Sequence, residues 1–303
     1  MAFRIVFVES QANMQVKLNN LIVSNGEKET WIPVSDISMV VLDNIKTMVS
    51  ARLMTVLAEY NIGLIVCNQE HLPFGYYSSY DNHSRISKYI WHQINHDTIF
   101  YDQLWGKIVK QKIENQSQCL EKLGLDESSV EMLRKYITEI EPGDLSNREA
   151  HAAKVYFNTM MGSSFSRGNE NILMNSGLDY GYAIIRSFIA RVCVGYGLNT
   201  QLGIHHRNEY NRFNLVDDIM EPLRPIVDYY VFYLLEHEGY FKVEHRRKLV
   251  NILNHKMIYK NKKMFVCNVI EEYVSGMATY IADEKYEPKF PEFAAYIGEE
   301  SEI

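Results

Sequence analysis

Tyr77-Ser78-Ser79-Tyr80-Asp81-Asn82-His83-Ser84 is the seam of this chain. Eight polar, loop-forming residues separate two kinds of sequence. Before the seam the apolar runs are short. Phe3 to Glu9, Trp31-Ile32-Pro33-Val34, Ser38 to Leu42 and Leu64 to Cys67 have strand length, and Asn19-Asn20 marks a turn between Val16-Lys17-Leu18 and Leu21-Ile22-Val23. Only Met48 to Tyr60 has helical spacing there, with Val49, Leu53, Val56 and Leu57 on one face and Asn61-Ile62-Gly63 as its stop. His71 to Gly75 reads as a turn. After the seam come long stretches without turn signals, at about 86–122, 128–138, 146–161, 178–197, 218–238, 243–254 and 264–283, broken by glycine-containing pauses. The expected fold class is α+β: a small β-rich N-terminal domain at 1–78, a linker at 79–85, and a larger, all-helical C-terminal domain at 86–303.

The chain's 303 residues and hydrophobic share of 47% suffice for one large core or two ordinary ones. No apolar run approaches the roughly 20 residues of a membrane span. The N-terminal run is too short for a signal-peptide core. Cys67, Cys119, Cys193 and Cys267 are scattered without a C-x-x-C pair, which speaks against a structural zinc site and for reduced thiols in the cytoplasm. The glycosylation patterns at Asn82-His83-Ser84 and Asn115-Gln116-Ser117 are then coincidental. A net charge of -7 argues, taken alone, against nucleic-acid binding, which draws on neutralised phosphates. Distribution matters more than the sum. Lys242, Arg246, Arg247, Lys248, Lys256, Lys260, Lys262 and Lys263 face only Glu244 within their stretch, whereas Asp283 to Glu302 is acidic. The basic stretch is either a solvated face or a nucleic-acid footprint.

Three separated clusters carry residue types suited to a divalent metal and phosphoryl transfer: Asn147-Arg148-Glu149, Gly203-Ile204-His205-His206 and Asp218-Ile219-Met220-Glu221-Pro222. Each also has a purely structural reading. Ser146 and Glu149 have the spacing of a helix capping box, which would compete for the Glu149 carboxylate. His205 and His206 are adjacent, so at most one is expected to join a given site. Asp217, Asp218 and Glu221 suit the first turn of a helix, where Pro222 is also tolerated. Alternatively, Asp218 and Glu221, at i and i+3, share a face and meet one cation.

Taken together and in order, these motifs resemble the CRISPR-associated integrase, the adaptation enzyme of CRISPR immunity, in the form found in type II-A systems. The resemblance rests on Ser146 to Asn158 (SNREAHAAKVYFN), Phe165-Ser166-Arg167, Asn175 to Tyr182 (NSGLDYGY), Thr200 to His206 (TQLGIHH) and Asn211 to Pro225 (NRFNLVDDIMEPLRP), and it spans most of the chain. Ala150 stands where many members have glycine.

The resemblance implies a β-rich N-terminal domain that dimerises and a helical catalytic domain with one metal site. Its ligands fall on Glu149, on His206 rather than His205, and on Glu221, with Asp218 and His205 beside them and Mg²⁺ or Mn²⁺ as the ion. It further implies joining of short DNA fragments to a CRISPR leader–repeat by direct attack of 3′-hydroxyls, with no covalent enzyme intermediate. Arg148, Lys154, Arg167, Arg207, Arg212 and Arg224 flank the motifs and are the candidate DNA contacts. The implied assembly is a homodimer, two of which bracket a small ferredoxin-like adaptation protein as a heterohexamer. The type II-A form adds an effector nuclease and a ring-shaped DNA-end-binding protein. Two other readings remain open from the residues: a metal-dependent endonuclease of branched DNA using the same side chains, and a non-catalytic DNA-organising subunit whose acids only cap helices.

Overall fold

The computed structural model describes residues 4–26, 28–79, 83–169 and 172–298. Phe3, the Tyr80-Asp81-Asn82 part of the seam with its glycosylation pattern, and the acidic tail from residue 299 onward lie outside the described residues. The chain opens with β1 (Arg4–Val8), then a hairpin of β2 (Asn13–Lys17) and β3 (Asn20–Ser24). Leu18 and Asn19 turn that hairpin, both with positive φ. There follow β4 (Glu29–Pro33), β5 (Ile37–Leu42), β6 (Met48–Val49), α1 (Ala51–Glu59), β7 (Gly63–Cys67) and β8 (Pro73–Tyr77). The strands form two four-stranded sheets, ordered β1-β5-β7-β8 and β4-β3-β2-β6. In the first, β1, β5 and β7 run parallel and β8 closes it antiparallel.

The central strand β5 is buried at every position, as expected of a parallel strand covered on both faces. Its alternation divides two cores. Val40 and Leu42 pack with Leu53, Leu57 and the second sheet, while Met39 and Val41 join Ile65 and Cys67 against the helices. The β-rich part and the helical part thus share an apolar core. Polar contacts reinforce this seam. The Arg246 guanidinium donates to both oxygens of Asp43 at 3.1 and 3.0 Å, and Arg191 donates to the Asn61 carbonyl at 3.0 Å.

The helical part comprises α2 (Ile86–Asn95), α3 (Thr98–Lys122), α4 (Glu127–Thr138), α5 (Arg148–Met161), α6 (Leu173–Gly195), α7 (Asn214–Met220), α8 (Arg224–Leu235), α9 (Val243–Asn251) and α10 (Val266–Ala282). At Gly177 and Gly181, one turn apart on α6, a Cβ would come within 2.6 Å of Leu235 Cδ1 and of Val227 Cγ1. These glycines let α6 and α8 approach closely.

The β-then-helical order is as the sequence predicts, with local departures. The stretch 86–122 is two helices, because Asp97 caps α3 by accepting from the Phe100 amide at 2.8 Å. Pro73 to Gly75 belongs to a strand rather than a turn; proline is acceptable there because it is the strand's first residue. Helix α6 starts at Leu173, ahead of the expected 178. The expectation of an all-helical C-terminal part needs one correction: β9 (Lys256–Tyr259), β10 (Lys262–Phe265) and β11 (Tyr296–Gly298) form a three-stranded sheet. Lys260 and Asn261, both with positive φ, make its hairpin, which the run of lysines concealed. Among the described residues, no helix is long and apolar enough to cross a membrane. All four cysteines are unpaired and buried, and burial pushes Cys67 and Cys267 up to about 12.

Candidate metal centre

Glu149 stands in the first turn of α5. The capping expected from Ser146 is supplied instead by Asp144, whose two carboxylate oxygens accept from the amides of Arg148 and Glu149, each at 2.9 Å. Asp144 and Asn147 both adopt left-handed backbone, with φ of 50° and 53°, so the chain turns sharply into the helix. The consequence is chemical: the Glu149 side chain is not spent on its own helix.

What it meets is Lys112. This lysine projects from α3 with its side chain 8% exposed, and its Nζ donates to Glu149 Oε1 at 2.6 Å. The same Nζ lies 2.5 Å from Glu221 Oε2. The second contact is an ion pair in distance, though its angles are not those of a hydrogen bond. Glu221 Oε1 accepts from Arg224 Nε at 2.9 Å. Burial alone would raise the Glu221 carboxyl, but the Arg224 guanidinium and Lys112 ammonium outweigh it and hold the group at about 2. Glu221 is therefore ionised at any working pH. Its position comes from a break in the helical run. Asn214 begins α7, well before the expected start at 218, and Glu221-Pro222-Leu223 form a 3-10 turn before α8. Asp217 alone of the three acids is in the first turn of α7, so helix-dipole capping does not account for Asp218 or Glu221.

Asp218 is fully buried and accepts from the amides of Ile204, His205 and His206 at 2.6, 3.0 and 3.2 Å. It also pairs with His206 Nδ1 at 2.6 Å, which raises the imidazole's proton affinity and leaves Nε2 as the nitrogen for other work. Asp218 and Glu221 therefore do not meet one cation side by side: Asp218 holds the histidine loop, Glu221 faces Lys112. Gly203 makes the loop possible. A Cβ there would collide with the His206 carbonyl oxygen and come within 3.0 Å of Asp218 Oδ2. His205 turns away, its ring stacked on Trp105 at 4.3 Å and 89° from the His206 ring. His206 and Glu221 are near enough for each to bias the other's ionisation.

Among the described residues, no three His, Cys, Asp or Glu side chains converge into a ligand set as they stand. Two carboxylates do converge, on an ammonium, and an imidazole lies within their electrostatic reach. A position between two carboxylates that already holds a cation suits a hard divalent ion in kind. The donor set fits.

The candidate DNA contacts divide into two groups. Lys154 is exposed, and Arg207 and Arg212 are exposed on a cavity of about 600 Å³ that His206 also lines. Tyr101, Tyr210 and Ile94 border the same cavity. The others are engaged. Arg148 pairs with Glu139 at 3.0 Å, Arg167 with Asp179 at 2.6 Å, and Arg224 with Glu221 while lying 4.6 Å over the Tyr182 ring. The basic stretch from 242 to 263 is likewise divided. Arg246 is buried on Asp43, Arg247 pairs with Glu9, and Lys242 and Lys260 pair with Glu238 and Glu272. A larger cavity, of about 850 Å³, lies along β1, away from these motifs.

Sequence reasoning missed Lys112, Trp105, Asn115 and Asp144. Asn115 is fully buried and donates to the carbonyls of Pro222 and Pro291 at 2.7 and 2.9 Å, fixing the turn that carries Glu221. Its burial also removes it as a glycosylation acceptor. The signal was present: Trp105, Ile108, Val109, Lys112, Ile113 and Gln116 share one helical face, so a lysine and an amide sit in core register.

Comparison with known proteins agrees with this architecture. The family described as CRISPR associated protein Cas1 matches residues 5–260. A protein of Neisseria meningitidis serogroup C (strain 8013), described as CRISPR-associated endonuclease Cas1, is 33% identical over 298 residues, covering 96% of this chain and 97% of that one. A solved structure described as a casposase bound to integration product superposes with a TM-score of 0.77 at 19% identity, over 98% of this chain and 95% of that one. A chain of a Cas6-RT-Cas1–Cas2 complex superposes with a TM-score of 0.73 at 18% identity, over 95% of this chain and 36% of that longer one. At such identities the two structures show a common fold. The family match and the full-length relative show more: this chain belongs to the Cas1 family.

Proposed function

We propose that the chain is a metal-dependent DNA integrase that inserts short DNA fragments into a CRISPR array, by attack of fragment 3′-hydroxyls on target phosphodiesters. The observation that carries this reading is the cation-holding gap between Glu149 and Glu221, with Asp218-fixed His206 beside it. In this reading Glu149, Glu221 and His206 hold Mg²⁺ or Mn²⁺, which when bound supplies positive charge to a target phosphate and an incoming hydroxyl. The residues supply the rest. Asp218 fixes the His206 tautomer and, through three amides, the loop that carries it. Arg224 and Lys112 keep the Glu221 carboxylate ionised. His205, stacked on Trp105, is a positioning neighbour rather than a ligand. Lys154, Arg207 and Arg212 bind DNA phosphates without reading sequence. Arg148, Arg167 and Arg224 already hold protein partners, so their share in DNA binding rests on the donors those pairs leave over.

The same reading gives the chain a dimerising β-rich domain at 1–78, a linker at 79–85 and a catalytic domain at 86–303. It acts in the cytoplasm as a homodimer, two of which assemble with a small Cas2-type protein into a heterohexamer. In a type II-A setting, an effector nuclease and a ring-shaped DNA-end-binding protein also take part in capturing fragments. Support for joining comes from the casposase relative, described with an integration product, and support for the assembly from the Cas1–Cas2 complex. The meningococcal relative is described as an endonuclease, which supports a second reading as a nuclease; for that reading we take branched DNA as the substrate and the same residues as its site. Donor chemistry separates the two. Purified chain, the Cas2-type partner and Mn²⁺ are given a labelled duplex and a supercoiled plasmid carrying a repeat and, in a parallel reaction, a branched DNA. Label joined to the plasmid with 3′-hydroxyl ends, and absent with 3′-deoxy ends, is expected of the integrase. Cut branched DNA without any joined label would replace that reading with the nuclease.

A further inference from the structure

Lys112 carries a charge where charge is costly. It lies on the apolar face of α3, among Ile108, Val109 and Ile113, and is 6% exposed. Its ammonium is a compact point charge that touches one oxygen each of Glu149 and Glu221. A divalent ion held between the two acids would compete for those oxygens. The other oxygen of Glu221 is already bonded to Arg224. A divalent ion and an ammonium cannot occupy one gap, because like charges in contact in a buried site repel strongly.

We propose that Lys112 is an internal counter-cation: its ammonium holds the Glu149–Glu221 gap in metal-free protein and is exchanged out of it when a divalent ion binds. The exchange presupposes the reading of Glu149 and Glu221 as metal ligands given above. It has two effects. Without metal, two carboxylates from α5 and from the turn before α8 stay together rather than repelling each other. With metal, binding is weaker than the bare carboxylates would give, since each ion entering must break two charge-assisted contacts. The flexible four-carbon stem allows Nζ to withdraw while α3 stays in place.

The test is Mn²⁺ binding to the full chain, followed by calorimetry and electron paramagnetic resonance, with melting curves in chelator and in Mn²⁺. Lys112→Met is expected to bind Mn²⁺ on the order of tenfold more tightly, the worth of the lost charge-assisted contacts. It is also expected to melt below wild type in chelator and to gain more from Mn²⁺. Lys112→Arg keeps the charge and grips both carboxylates with a planar fork, so it should bind Mn²⁺ several-fold more weakly than wild type. Wild-type or weaker affinity in Lys112→Met, with binding abolished in Glu221→Gln, overturns the exchange and leaves the metal site standing. Mn²⁺ binding that survives Glu221→Gln puts the ion elsewhere and overturns both. If Lys112→Met does not fold, Lys112→Arg decides: affinity equal to or above wild type overturns the exchange.

Discussion

At the scale of single residues, the site is a set of buried charges balanced against one another. Glu221 is 3% exposed and ionised because Arg224 and Lys112 flank it. Glu221→Ala leaves both cations without their shared anion. A loss of about 3–5 kcal/mol is expected, as for a buried ion pair broken on one side. Urea unfolding checks it; a loss within experimental error would mean that the network is not intact in solution. Asp228 is the opposite case. Burial pushes its carboxyl up to about 6, although Tyr182 donates to it. The folded state therefore favours the protonated form. Its contribution is fullest below the ordinary carboxylate range and is lost as pH rises through about 6. The whole effect is about 3 kcal/mol for a shift of this size. Asp228→Asn should therefore stabilise the chain more at pH 7.5 than at pH 4.5, and equal effects at the two pH values would contradict a carboxyl raised by burial. Residue identities such as Glu149, His206 and Glu221 were legible in the sequence as types and order. Lys112 was not weighed, because a lysine in core register reads as an error in the apolar pattern until its two carboxylate partners are seen.

At the scale of elements, short loops and breaks place the chemistry. The Gly203 loop wraps its amides around Asp218, and a Cβ would strike the His206 carbonyl. Gly203→Ala should uncouple His206 from Asp218 and cut Mn²⁺ affinity by about 10–100-fold, the usual cost of losing a ligand's supporting contact. Asp144 is the cap of α5, so Asp144→Ala should cost about 0.5–2 kcal/mol, whereas Ser146→Ala should cost little. Equal losses in the two variants would restore the capping box that the sequence suggested. That error is instructive. The Ser146–Glu149 spacing was right for a box, but left-handed Asp144 and Asn147 bring a more distant carboxylate onto the same amides. Spacing counts residues along a regular path, and here the path bends. The single long helix expected at 86–122 failed for a similar reason: the chain turns extended at His96, and Asp97 caps the start of the next helix.

At the scale of the whole molecule, the β-rich part does not stand apart from the helices. Met39 and Val41 of β5 lie in the helical core, and Asp43 is locked to Arg246 of α9. Long-range packing of this kind leaves no local trace, so the sequence showed the change of character at the seam but not the shared core. The Asp43–Arg246 pair joins residues 203 positions apart, and Asp43→Ala is expected to destabilise sheet and helices together in one unfolding transition. Within this frame, Glu149, His206 and Glu221 are proposed to act as one metal-dependent joining site. The most direct measurement is strand transfer by wild type and by the Glu149→Ala, His206→Ala, Glu221→Ala and His205→Ala variants, with folding of each verified by melting. Joined product is expected to disappear in the first three variants and to persist in His205→Ala. Joining that survives the loss of Glu149 or Glu221 in a folded protein would contradict it.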